Sequence, residues 1–128
     1  MDNVAIVRYL QKRKIKLETA AGINPDYAYG RDNWKDFIQS LQKVNPSTKT
    51  GSELWPKLGA GQYGTEISAL LQTNPSIIHT SLWGGDLQAF ILQAAPRGLF
   101  KGRQVAIMAG DHVLHPLGKR MPEGVIIG

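Results

Sequence analysis

The stretch SLWGGDLQAFILQAAPRGLF, residues 81–100, carries an indole at Trp83 directly before paired glycines and the start of an amphipathic run. An aromatic with an apolar face and a polar rim suits a small organic ligand, and a nearby carboxylate suits that ligand's ammonium group. Gly84 and Gly85 leave backbone amides accessible beside a helix start, where the dipole also favours anions. Two other segments offer related chemistry: INPDYAYG, with Tyr27 and Tyr29, and AGDHVL, with Asp111. The plainer reading is that Trp83 packs on a neighbouring loop and Asp111 only caps a short helix.

Other motifs are less complete. GAGQYG (Gly59, Gly61, Gly64) matches G-x-G-x-x-G, with Asp86 near the distance of a ribose-binding acid. Against a dinucleotide site, the preceding WPKL places a proline where a buried strand should run. His112 and His115 have the i, i+3 spacing of a metal pair beside Asp111, but no third strong ligand stands near, so no metal is assigned. His79 falls mid-strand as a core or face residue. No serine occupies a nucleophile elbow and no carboxylate pair has acid–base spacing, so an enzyme is not expected and no cofactor is assigned.

These residues are positioned by a regular alternation of elements. NVAIVRYLQKR reads as a helix with Val4, Val7 and Leu10 on one face and Asp2 or Asn3 as cap. KIKLETAAG, with Ile15, Leu17 and Thr19 alternating, reads as a strand. RDNWKDFIQSLQKVN places Trp34, Phe37, Ile38, Leu41 and Val44 at helical spacing and stops before Pro46. STKTGSELW is polar and reads as a sheet-edge strand. YGTEISALLQ presents Tyr63, Ile67, Leu70 and Leu71 on one side, and SIIHTSL reads as a buried parallel strand. Leu87, Phe90, Ile91, Ala94 and Ala95 then follow the helical period, with Asp86 as N-cap and Gly98 as stop. RQVAIMA and GVIIG complete the strands, around a short helix or turn in DHVLHPLG.

The short connections predict an α/β fold, a flavodoxin-like three-layer sandwich with a mostly parallel five-stranded sheet, in a single lobe over residues 1–128. Ligands of such sheets bind outside the carboxyl ends of the strands, so the loops bearing Tyr27 and Tyr29, Trp83, and Asp111 should share one edge.

Composition agrees with this. A chain of 128 residues with 42% hydrophobic and 20% charged residues is globular, and without cysteine it has neither disulfides nor thiolate metal sites. The net charge of +5 gathers at Arg8, Lys12, Arg13, Lys14 and Lys16. Without interleaved aromatics that run reads as a solvated helix end, not as a nucleic-acid site. No segment approaches the ~20 apolar residues of a membrane span. MDNVAIVRYLQ is not a signal peptide, so the chain as written is expected in the cytoplasm.

INPDYAYGRDNW, ELWPKLGAGQYGTEISALL, SLWGGDLQAFILQAAPRGLF and HPLGKRMPEGVIIG resemble, in order, successive blocks of the type I periplasmic substrate-binding proteins. The branch is the leucine/isoleucine/valine-binding type, which feeds amino acids or related amides to ABC importers. The resemblance implies the C-terminal lobe only, non-catalytic and carrying half of an amino-acid or amide cleft. It implies an ABC permease and a missing N-terminal lobe as partners, and a periplasmic family. Position by position it implies ligand contacts at Tyr29, at Trp83 and, for an α-amino group, at Asp111; the sheet argument adds Tyr27, Gly84 and Gly85. Half a cleft is expected to bind weakly, and its exposed aromatic edge favours a homo-oligomer. The polar second strand and the basic first helix depart from the family pattern. The alternative is a reconstructed or engineered flavodoxin-like scaffold that self-associates without binding a small molecule.

Overall fold

The structure is a computed structural model that describes residues 3–12, 18–108 and 125–127. Along the chain lie α1 (Asn3–Lys12), β1 (Thr19–Ile23), α2 (Ala28–Val44), β2 (Lys49–Leu54), α3 (Gly64–Thr73), β3 (Ile77–Thr80), α4 (Gly84–Ala94), β4 (Gln104–Ile107) and β5 (Val125–Ile127). The five strands are all parallel, in the order β2-β1-β3-β4-β5. In that order the connections reverse direction between β1 and β3, which is the topological switch point of a flavodoxin-like sheet.

Successive strand residues face opposite ways, and the central strands use both faces. Ala20, Ile77 and Ala106 pack with Ile6, Val7 and Leu10 of α1 and with Trp34, Phe37 and Leu41 of α2. Ala21, Ile78 and Val105, one residue on from Ala20 and Ile77 and one before Ala106, pack with Ile67 and Leu70 of α3 and Leu87, Phe90 and Ile91 of α4. The three-layer sandwich is thus as expected. Each such large apolar side chain contributes roughly 1.5–3 kcal/mol on burial. On the α2 side of β1 there is no room for a side chain at Gly22, where a Cβ would stand 2.6 Å from the Trp34 ring.

The elements differ from the sequence-based expectations in detail. β1 begins at Thr19, and Ile15 and Leu17 lie outside the described residues. The buried stripe of α1 is Asn3, Ile6, Val7 and Leu10, while Val4 is 44% exposed. The cause is Asn3, which is no cap. Its amide donates to the Asn33 carbonyl, the Asn33 side chain and Asp36, which turns that face of α1 inward. Under it His79 is fully buried, stacked on Phe37 at 4.4 Å between ring centroids. Its Nε2 lies 3.2 Å from Asn3 Oδ1 and 3.1 Å from Asn33 Oδ1. Both oxygens can only accept, so Nε2 carries the proton. Polar β2 forms the sheet edge as expected, with Lys49, Thr50 and Gly51 exposed. No helix among the described residues is long and apolar enough to cross a membrane.

Candidate functional site

The site is built where β1 and β3 end side by side. Asn24, which follows β1, is buried, and its Oδ1 accepts both the Ser81 N–H (2.9 Å) and the Ser81 hydroxyl (2.7 Å). The Asn24 N–H donates to the Leu54 carbonyl at the end of β2 (3.1 Å). One buried residue, through its side-chain oxygen and its backbone N–H, therefore ties three strand ends together. The chain then climbs from Pro25 into α2, whose first turn lies so close that a Cβ on Gly30 would sit 2.1 Å from the Pro25 carbonyl oxygen.

The residues at the start of α2 and α4 meet on this platform. Tyr27 is the N-cap of α2 and Trp83 the N-cap of α4. The Trp83 Nε1–H donates to the Tyr27 hydroxyl oxygen at 2.9 Å. Tyr29 stands in the first turn of α2, not in the loop expected for it, with its ring centroid 5.9 Å from that of Tyr27. Tyr27, Tyr29 and Trp83 remain 38%, 39% and 46% exposed, which is unusual for large rings so well anchored. Burial, and then the neighbouring Tyr27, raise the Tyr29 phenol above its ordinary value, so it stays protonated at neutral pH. Neither N-cap side chain bonds to its own helix, so neither Tyr27 nor Trp83 satisfies a first-turn amide. Gly84 holds φ +56° and needs to be glycine, whereas Gly85 has open space around it.

Sequence reasoning missed the supports of this group. Asn24, Gly30 and the flanking cluster of Asp26, Arg31 and Trp55 were read only as loop or helix. Arg31 donates through Nη2 to Asp26 at 2.7 Å, and its guanidinium carbon lies 3.9 Å from the Trp55 ring centroid. The Asn-Pro pair after β1 was the available signal for a clamped strand exit. Asp86 is a correction. It does not cap α4; its carboxylate accepts the Gly59 N–H at 2.8 Å. Gln93 accepts the Tyr63 N–H and donates to the Gly61 carbonyl. The glycine loop GAGQYG is therefore fastened to α4, and it follows the edge strand, not a central one. Asp111, His112 and His115 lie outside the described residues. Among the described residues no three His, Asp or Glu side chains converge as a metal site.

The arrangement offers flat apolar surface and hydroxyl groups at the mouth of the switch point. That is chemistry for holding a small organic molecule. No curated protein sequence matches the chain. Among solved structures it is similar to a solute-binding protein of an R. palustris ABC transporter in complex with benzoate (TM-score 0.77, 17% identity, 92% of this chain and 32% of that one). It is also similar to the leucine-, isoleucine-, valine-, threonine- and alanine-binding protein of Brucella ovis (TM-score 0.79, 14% identity, 92% and 31%). A third is a leucine-binding protein of Thermotoga maritima (TM-score 0.71, 15% identity, 93% and 33%). The chain spans about a third of the length of these structures, and the likeness shows their fold. A family model described as periplasmic binding protein matches residues 1–128, and the chain belongs to that family.

Proposed function

We propose that this chain is the C-terminal, non-catalytic lobe of an ABC-importer solute-binding protein and forms one wall of a cleft for an amino acid or a related amide or organic acid. The observation that carries this reading is the Trp83–Tyr27 hydrogen bond, which sets exposed aromatic rings at the switch point between β1 and β3. Solved structures of similar fold hold benzoate and 3,4-dihydroxybenzoic acid or are leucine-binding proteins, which supports a small organic acid or amino acid as ligand. Trp83, Tyr27 and Tyr29 form the aromatic wall, Gly84 and Gly85 let the ligand approach the start of α4, and Asp111 pairs with an α-amino group. The opposite lobe supplies the other wall, and an ABC permease receives the loaded protein.

A thermal-shift panel of the 128-residue chain against amino acids, amides and benzoates at millimolar concentration tests this. Binding to the folded state raises stability by RT ln(1 + [L]/Kd), so even millimolar affinity registers. The expected result is a shift with a subset of ligands that disappears in Trp83→Ala. A flat panel together with a stable dimer in sedimentation would instead mean a self-associating scaffold.

A further inference from the structure

Val4 is left 44% exposed on α1, and it lines a groove of about 200 Å³ between α1 and α2 together with Val7, Arg8, Ser40, Lys43 and Val44. The groove is remote from the aromatic wall. Ser40 to Val44 form the last turns of α2 and Tyr29 stands in its first, roughly 20 Å away at 1.5 Å per residue.

Three features of the groove point to one kind of ligand. Its three valines offer apolar surface for an aliphatic chain. Ser40 is only 9% exposed, yet its hydroxyl finds no hydrogen-bond partner among the described residues. Buried hydroxyls normally have one. The Ser40 oxygen is not sealed in the interior, as the Tyr63 hydroxyl and His79 Nδ1 are, so its partner must enter through the groove. Arg8 and Lys43 are exposed at the groove, and among the described residues neither has an ion-pair partner. No carboxylate stands three or four residues from either of them. Lys43 lies in the last turn of α2, where it offsets the negative end of the helix dipole. Arg8 is therefore the cation left for an anion, and its planar fork matches a carboxylate. The volume is below the roughly 300–1,000 Å³ of a drug-sized site, which limits the occupant to a small molecule.

We propose that this groove binds a short-chain aliphatic carboxylate, outside the cleft and independently of it. The chain lies on Val4, Val7 and Val44, and the carboxylate accepts from Arg8 and from the Ser40 hydroxyl. Such charge-assisted bonds are stronger than neutral ones.

The test titrates hexanoate, hexylamine and hexanol into the 128-residue chain and follows the methyl resonances of Val4 and Val44, with the Trp83 indole N–H as the reporter for the cleft. Hexanoate is expected to move the valine methyls with an affinity roughly fivefold or more above that of hexanol, as an exposed charge pair allows. Hexylamine should bind no better than hexanol. The acid preference should disappear in Arg8→Gln, an exposed change that leaves the core intact, and shrink in Ser40→Ala. Equal binding of the acid and the alcohol would overturn the proposal, as would a preference that survives both variants. Hexanoate that moves Trp83 and leaves the valines unmoved would overturn it too, and would place the acid in the cleft instead.

Discussion

Gly84 and Gly85 are neighbours at one helix start and do different jobs. Gly84 sits at φ +56°, which a side chain adopts only with strain, while a Cβ on Gly85 meets nothing within 4 Å. Gly84→Ala should lower stability by about 1–2 kcal/mol, whereas Gly85→Ala should be neutral or slightly stabilising, because alanine is the better helix former. Urea denaturation of both variants checks this, and equal losses would mean that the helix start is not as described. The aromatic residues of the site were legible from type and position, since Trp83 and Tyr27 each follow a strand. Their mutual bond was not, because the partners stand 56 residues apart. Asp86 shows the same limit: a carboxylate in the first turn fits a capping rule, but a bare amide on Gly59 competes for it and wins.

At the scale of elements, the site depends on how two strand-to-helix junctions are fastened. Asn24 does this from a buried position by accepting two bonds from Ser81. Asn24→Ala would strand both Ser81 donors away from water, at a cost of about 1–3 kcal/mol for an unsatisfied buried group. Amide hydrogen exchange at Ser81 should accelerate more than at Ile78 in the middle of β3. Unchanged protection of Ser81 would show that another contact holds the junction. Most elements were readable because their hydrophobic periods were long and punctuated, as in α4 with Leu87, Phe90, Ile91 and Ala94 buried. The inward face of α1 was misjudged at Val4. Its orientation is set by Asn3, a polar residue whose burial depends on partners in α2 and β3.

For the whole molecule, that same polar contact links folding to pH. Burial holds His79 neutral and lowers its pKa from 6.5 to about 3. The unfolded chain binds a proton near the ordinary value, so below that pH the unfolded state takes up more protons and stability falls. Above pH 6.5 the contribution is complete, and it is lost as pH drops toward 3. The urea midpoint should therefore decline between about pH 6.5 and pH 5, before most carboxylates titrate. The decline should be shallower in His79→Gln, which keeps a donor for the Asn3 and Asn33 oxygens. An identical slope in both proteins would place the proton uptake elsewhere. By itself the sequence determined the alternation of helix and strand, the edge position of β2, the fold class and the loops that carry the aromatic residues. These follow from local period, turn chemistry and the parallel-sheet rule. Only the tertiary structure decided that β1 and β3 adjoin at the switch point, that Trp83 spends its donor on Tyr27, and that Asp86 and Asp26 are already engaged. Hydrogen bonds pair whichever groups the fold brings within 3 Å or so, and sequence spacing carries no record of that distance.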